Sequence, residues 1–203
     1  MFYVCGRCGA YTPEKIIRDG GSEMCCPACG FVSSIRRAPL FLLTGASGAG
    51  KSTVAAELFA RRTRYIVMEG DILWCGPFTE PENHYAALRD IWLRMCVNIS
   101  QNGDPVLLAG CAMPEDYAGR PAARYFSAIE CIALVCEPEE LARRLRARPA
   151  WRASGGEAVI EGATAFNAAL LSRADIRKID TTKKKIEEAC AAVDAFILRK
   201  MNP

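Results

Sequence analysis

Leu40-Phe41-Leu42-Leu43-Thr44-Gly45-Ala46-Ser47-Gly48-Ala49-Gly50-Lys51-Ser52-Thr53-Val54-Ala55-Ala56-Glu57-Leu58 runs from an apolar segment through a glycine-rich turn into a stretch of helix formers. Gly45 to Ser52 satisfies the spacing G-x-x-x-x-G-K-[ST] of a phosphate-binding loop. The flanks agree with the motif: a short buried strand enters the turn and a helix leaves it. The free N-terminal N–H groups and dipole of such a helix favour an anion. Gly45, Ser47, Gly48, Ala49, Gly50, Lys51, Ser52 and Thr53 are therefore the candidate cradle for a triphosphate. Lys51 would reach the β- and γ-phosphates, and Ser52 would hold Mg²⁺.

Working outward, the 203 residues suffice for one ordinary domain with a small appendage. Roughly half the residues are apolar, yet no run approaches the ~20 needed to span a bilayer. Met1-Phe2-Tyr3-Val4-Cys5 lacks the charged and apolar regions of a signal peptide. The expectation is a soluble cytoplasmic chain without a membrane partner. A formal net charge of +3 does not by itself argue for nucleic acid.

The chain has eleven cysteines, of which five precede residue 30. Cys5-Gly6-Arg7-Cys8 and Cys26-Pro27-Ala28-Cys29 are two C-x₂-C pairs at the separation of a structural zinc site, each followed by a glycine suited to a tight knuckle. Residues 1–37 are thus expected to form a zinc ribbon on Cys5, Cys8, Cys26 and Cys29. Cys25 competes with Cys26 for the metal through a C-x₃-C spacing, and Cys26 is favoured; disulfides are disfavoured in the cytosol. The ribbon's basic surplus of two is offset by four thiolates around Zn²⁺, so it is not an evident nucleic-acid hook. Cys75, Cys96, Cys111, Cys131, Cys136 and Cys190 lie in apolar segments and read as packing residues.

Beyond Pro39, strand patterns at about 40–45, 65–68, 105–110, 129–136 and 176–179 alternate with helical patterns at about 51–62, 81–102, 137–148, 162–173 and from Thr182 onward. Residues 149–160, with Ser154-Gly155-Gly156, read as a mobile lid, and Asp180-Thr181-Thr182 as the cap of the last helix. Such alternation implies an α/β fold, with a five-stranded parallel sheet covered on both faces and ligands at the strand C-termini. Asp71 falls at one such end. The Trp92 stripe reads as core.

Three classes of phosphate-loop protein compete. A guanine reader would show Asn-Lys-x-Asp, which the sequence lacks, and a motor-type ATPase would place acid directly after the third strand, where Gly110-Cys111-Ala112 stands. Residues 38–203 instead resemble the small kinases of the nucleoside monophosphate kinase superfamily, which includes gluconate, shikimate and chloramphenicol kinases. The resemblance rests on Gly45 to Ser52, on Glu69-Gly70-Asp71-Ile72-Leu73-Trp74, and on Leu141 to Arg148 leading into the lid. The whole string also resembles a bacterial group labelled AAA-family ATPase or nucleoside kinase. Trp74 stands where gluconate kinases have histidine, which argues against gluconate.

The resemblance implies a three-layer P-loop NTPase fold and transfer of the γ-phosphoryl group from ATP·Mg²⁺ to a small-molecule acceptor: a nucleoside, nucleotide, or other hydroxylated metabolite or antibiotic. Lys51, Asp71, Arg144 and Arg148 are the catalytic candidates, with Asp71 either accepting a proton or hydrogen bond from the acceptor hydroxyl or holding Mg²⁺ through water. One or both of Arg144 and Arg148 would meet the phosphates as the lid closes, or the two form a solvated basic face. Trp74, His84, Tyr85 and Arg89, with Asp71, would line the acceptor pocket. The competing class is a nucleic-acid-binding P-loop ATPase or polynucleotide end kinase, with the ribbon reading the polymer; the ribbon lacks the interleaved aromatic and basic residues this would need.

Overall fold

The computed structural model describes residues 2–18, 20–61, 63–79, 85–152 and 155–201. Strand β4 (Leu40–Gly45), following three short strands of the N-terminal segment, is buried along its whole length. This is the mark of a central parallel strand covered on both faces, which has no polar side to alternate with. It is the middle of a five-stranded sheet ordered β5 (Ile66–Glu69), β6 (Val106–Ala109), β4, β7 (Ile129–Val135), β8 (Arg177–Asp180), with every pairing parallel. Leu43 pairs with Ala109 on one side and Ile132 on the other. The chain leaves β4 in one direction and later crosses to β7 in the other, so the sheet's switch point lies at the end of β4, where ligands bind in open α/β sheets.

Among the described residues six helices cover the sheet. On one face α1 (Lys51–Ala60), α4 (Pro138–Arg146), the first half of α5 (Glu157–Ser172) and α6 (Ile186–Met201) pack around Phe41, Leu43, Leu107 and Leu134. On the other, α2 (Ala86–Ser100) and the one-turn α3 (Glu115–Ala118) bury Trp92, Leu93, Val97 and Tyr117 against Leu40, Leu42 and Leu108. The stripe centred on Trp92, 1% exposed, is core as expected.

The N-terminal segment folds as β1 (Ile16–Ile17), β2 (Glu23–Cys25) and β3 (Val32–Ser34), an antiparallel sheet separate from the large one. It is not merely tethered. Phe2, Met24 and Ile35 belong to the same buried cluster as Trp92 and Tyr125, and the Tyr125 hydroxyl accepts from the Lys15 amide at 2.6 Å and donates to the Pro13 carbonyl at 2.8 Å.

Three sequence expectations need correction, and a fourth falls outside the described residues. The segment expected to be a lid up to residue 160 already enters α5 at Glu157, because Ile160 and Ala163, one turn apart, reach the core and extend the helix toward its N-terminus; residues 153 and 154 lie outside the described residues. Asp180-Thr181-Thr182 does not cap α6. Asp180 instead accepts from the Thr182 amide and hydroxyl at 2.8 and 2.6 Å in a local turn, and α6 starts only at Ile186. Helix α2 begins at Ala86, and the expected start at 81–83 lies outside the described residues, as does Arg62 at the end of the first helix. Cys75 and Cys111 are exposed rather than packed, since both sit on turns beyond strand ends, whereas Cys96, Cys136 and Cys190 are buried.

Candidate active site and metal centre

The phosphate loop closes tightly on the sheet. A Cβ at Gly45 would stand 2.6 Å from the Leu134 carbonyl oxygen, so only glycine lets β4 run this close to β7 at the point where the loop departs. Lys51 folds back over the loop, its Nζ donating to the carbonyls of Gly45 at 2.7 Å and Ala46 at 3.0 Å. The ammonium is thereby held over the turn by two neutral acceptors, which leave its charge uncancelled for a phosphate. A cavity of about 360 Å³ opens beside the loop, lined by Gly48 to Val54, by Arg144, Arg148 and Arg152, and by Thr181, Lys184, Ile186 and Ala189. Its lining combines the cationic Lys51, Arg144, Arg148, Arg152 and Lys184 with the apolar Ile186 and Ala189 of α6. This donor set fits a nucleotide triphosphate. Ser52 and Thr53, on the first turn of α1, line the same cavity.

Arg144 is anchored. Its Nε donates to Glu140 at 2.8 Å, its Nη2 to the Thr181 carbonyl at 2.7 Å and, more weakly, to that of Thr182 at 3.3 Å, and its Nη1 approaches the Gly48 carbonyl at 3.4 Å. Thr181 completes the tie by donating to the Ala49 carbonyl at 2.9 Å. Helix α4 and the turn after β8 are thus joined to the loop through one guanidinium. Arg148, half-buried in the same cavity, lies below the usual arginine range because burial, and then the nearby charge of Arg152, disfavours its cation. A bound polyanion would relieve that cost.

Hydrogen bonds from Arg143 and then Arg144 hold the Glu140 carboxyl down to about 2. A carboxyl depressed in the folded state stabilises that state fully above its ordinary range, ~4.3, and loses the contribution as pH falls toward the folded value. Glu140→Gln should therefore flatten the acid limb of the stability curve below about pH 4, read by urea unfolding at stepped pH, and leave the neutral limb's slope unchanged.

On the opposite side of the loop lies a second cavity, of about 550 Å³, lined by Ser47, Asp71, Trp74, Tyr85, Arg89 and Cys111 among others. Asp71 sits in a 3₁₀ turn, Gly70–Leu73, directly after β5, exposed to solvent. Trp74, 49% exposed, and Tyr85 hold their rings 5.1 Å apart at a 49° tilt. Tyr85 has φ +59°, a left-handed conformation costly for an aromatic residue, at the N-terminus of α2. Arg89 is only 9% exposed; its Nη2 donates to Asp116 at 2.9 Å, while its Nη1 is buried without a partner among the described residues. A buried guanidinium nitrogen left unpaired beside a cavity is a place for a ligand oxygen. His84 lies outside the described residues.

Cys111 is a lining residue that the sequence reading assigned to packing; its thiol reaches the Gly45 carbonyl at 3.2 Å. Its place two residues past the end of β6, on the ligand side of the sheet, was the available signal. Asp116, which grips Arg89 and accepts from the Met113 amide at 2.8 Å, was also missed, because it comes from α3, 27 residues away.

In the N-terminal segment the Sγ atoms of Cys5, Cys8, Cys26 and Cys29 lie within 4.8 Å of one another, with Cys5 to Cys29 at 3.7 Å and Cys8 to Cys26 at 3.9 Å. Tetrahedral thiolate coordination at ~2.3 Å requires sulfur separations of ~3.8 Å, so this donor set fits a Zn²⁺-sized ion. The two knuckles repeat each other. Cys5 N–H donates to Ala10 and Gly9 N–H to Cys5, as Cys26 N–H donates to Phe31 and Gly30 N–H to Cys26. Gly9 and Gly30 share φ near +70°. Backbone N–H groups of Cys8 and Arg7 point at the Cys5 sulfur and pull its thiol down to about 6. Cys25 lies on β2 outside the cluster, and all eleven cysteines are free thiols.

The fold and the loop between two cavities define a P-loop protein of the small-kinase architecture. Residues 42–159, well over half the chain, match the model of the AAA domain family, and the protein belongs to that family. Among solved structures it is similar to a gluconokinase from Sinorhizobium meliloti 1021 (20% identity, 82% of this chain and 95% of that one, TM-score 0.54). It is also similar to a putative kinase from Chloroflexus aurantiacus (16% identity, 83% and 100%, TM-score 0.58) and to the tunicamycin resistance protein of Deinococcus radiodurans (15%, 80% and 96%, TM-score 0.57). At these identities the likeness is one of fold. No curated protein matches the sequence significantly. No helix among the described residues is long and apolar enough to cross a membrane.

Proposed function

We propose that this protein is an ATP-dependent phosphotransferase acting on a small hydroxylated acceptor. The observation that carries the reading is the pair of cavities meeting at the phosphate loop, one rich in arginine and the other bearing an exposed carboxylate and an aromatic pair. A switch or motor ATPase needs only the first. Phosphoryl transfer needs both, because its catalysis consists mainly of placing donor and acceptor in line and neutralising the transferred group.

In this reading Gly45 to Thr53 cradle the donor's phosphates, and Lys51 turns from the loop carbonyls to the β- and γ-phosphates. Arg144 and Arg148 approach from α4, Arg144 as a fixed strut and Arg148 as the cation that gains most from a polyanion. Ser52 would hold Mg²⁺, which when bound would supply neutralisation of the charge on the donor's phosphates. Asp71 faces the acceptor hydroxyl and takes its proton or orients it. Trp74 and Tyr85 pack on the acceptor's flat or C–H-bearing face, and Arg89 Nη1 takes one of its oxygens. Cys5, Cys8, Cys26 and Cys29 hold a structural Zn²⁺, which gives a core to a segment of residues 1–37 too small to build one alone. Residues 38–203 then form the kinase domain.

The test is a screen of nucleosides, nucleotides, sugars, sugar acids and hydroxylated antibiotics with ATP, read by mass spectrometry for a gain of one phosphoryl group. A product with at least one class is expected. ATP hydrolysis at an unchanged rate with every acceptor class, and no phosphorylated product, would overturn the kinase reading in favour of a regulatory ATPase.

A further inference from the structure

Helix α2 has two tasks on opposite sides. Toward the acceptor cavity it presents Arg89 and Trp92, and the Trp92 indole N–H donates to the Gly70 carbonyl at 3.1 Å. Gly70 immediately precedes Asp71, and a Cβ at Gly70 would come within 3.0 Å of the Ala109 carbonyl oxygen, so the turn is pressed against β6 with Trp92 holding it from the other side. Toward the N-terminal segment the same helix is gripped at two levels. The Arg94 guanidinium lies 5.0 Å over the Tyr3 ring and donates to the Tyr11 hydroxyl. At the helix end, the Gln101 side chain pairs with both backbone groups of Arg36, accepting from its N–H at 3.1 Å and donating to its carbonyl at 2.9 Å. Between the two levels, Phe2, Met24 and Ile35 close one buried cluster with Trp92, Leu93 and Val97.

We infer that the cysteine-knuckle segment is a positioning element for the acceptor half of the site, acting through α2 and Trp92 on the turn that carries Asp71. The nucleotide half has no such dependence: the core beneath the phosphate loop is built from α1, α4, α5 and α6 on the other face of the sheet. Loss of the metal should therefore loosen one cavity and spare the other. A short segment with little core of its own loses its order when its metal goes, and α2 then loses the partners of Arg94 and Gln101 and part of the cover over Trp92. The inference rests on the kinase reading only for what Asp71 does; the placement of Asp71 can be measured without any acceptor.

Hydrogen exchange of the full-length protein, as purified and after zinc removal with a chelator, reads the coupling directly, with zinc content and affinity for a non-hydrolysable ATP analogue measured alongside. Expected are one bound zinc per chain and, on its removal, exchange at least about tenfold faster in residues 2–37, in α2 and in 70–74. Protection of β4 and α1 and nucleotide affinity should stay within about twofold. Trp92→Phe keeps an aromatic ring, though a smaller one, and removes the N–H; it should speed exchange at 70–74 while zinc content and protection of 2–37 are unchanged. Changes confined to 2–37 on zinc removal, a global loss of protection, a metal-free chain with a fully protected α2, or a Trp92→Phe protein with normal exchange at 70–74 would each overturn the inference. Failure of the acceptor screen would leave these outcomes as they stand, so the two readings fall separately.

Discussion

Lys51→Met should lower phosphoryl transfer by about a thousandfold or more while the protein remains folded. The magnitude follows from what the ammonium does in a water-poor site, where a preorganised charge aimed at the transferred group is worth several kcal/mol. Lys51 is held over the loop by the Gly45 and Ala46 carbonyls at 2.7 and 3.0 Å, so in the open site its charge already stands at the cradle and has only to turn from two neutral acceptors to the arriving phosphates. Methionine keeps the length of the side chain and loses the charge and both hydrogen bonds. These bonds are partly exposed, and their loss should cost stability only about 1 kcal/mol. Circular dichroism and thermal unfolding should then be near wild type, nucleotide-analogue affinity clearly weaker, and turnover at saturating ATP almost gone. Turnover within tenfold of wild type would mean that the triphosphate does not sit on this loop. Lys51→Arg is the sharper control: a guanidinium keeps the charge but cannot fit the same two carbonyls as a compact ammonium does, so a large loss there as well would assign the effect to placement rather than to charge alone.

The parts of the molecule legible in the sequence share one physical property: their signal is local. Parallel strands buried on both faces appear as apolar runs, which is why Leu40–Gly45 and Val106–Ala109 stand where they are expected, as does Ile129–Val135, whose half-buried first part admits Glu130. The phosphate loop and the cysteine knuckles are likewise fixed by spacing within a few residues. The choice between Cys25 and Cys26 needed the strand. Cys25 ends β2, paired with Ile16 and Val32, and successive side chains of a strand point to opposite faces, so Cys26 alone is left to turn toward the other sulfurs.

What the sequence hid is long-range. The pairs Arg89 with Asp116, Trp92 with Gly70, and Tyr125 with Lys15 join residues 27, 22 and 110 positions apart, and no periodicity announces them. The same holds for Arg144 and Arg148, whose helical spacing leaves open whether one or both reach the phosphates. In the fold the two differ. Arg144 is tied to Glu140 and to the turn after β8, whereas Arg148 is partly desolvated beside Arg152. The helix α5 start was misplaced for a related reason: Gly155 and Gly156 read as a mobile tip, but Gly156 is the extended residue from which the helix departs.

Asp71→Asn should lower turnover by about a hundredfold to ten-thousandfold, the range expected for loss of a positioned proton acceptor, with nucleotide-analogue affinity unchanged within about twofold. The split follows from geometry, because Asp71 lines the cavity on the acceptor side with Ser47 and Trp74 and takes no part in the lining of the arginine-rich cavity. Asparagine preserves the shape of the turn, since the backbone bond from the Trp74 amide to the Asp71 carbonyl, at 2.9 Å, does not involve the side chain. Asparagine still offers an oxygen to a hydroxyl proton, so orientation survives in part while basicity is lost. Two roles for the carboxylate then separate by experiment. A residue that works by accepting the hydroxyl proton gives a defect that no metal concentration repairs. One that works by holding Mg²⁺ through water gives a defect that shrinks as Mg²⁺ is raised or Mn²⁺ substituted, because the lost ligand weakens metal affinity rather than the chemical step. The wild-type rate in Asp71→Asn would remove this residue from the mechanism altogether, leaving the aromatic pair and Arg89 to define an acceptor that ionises without help from the protein.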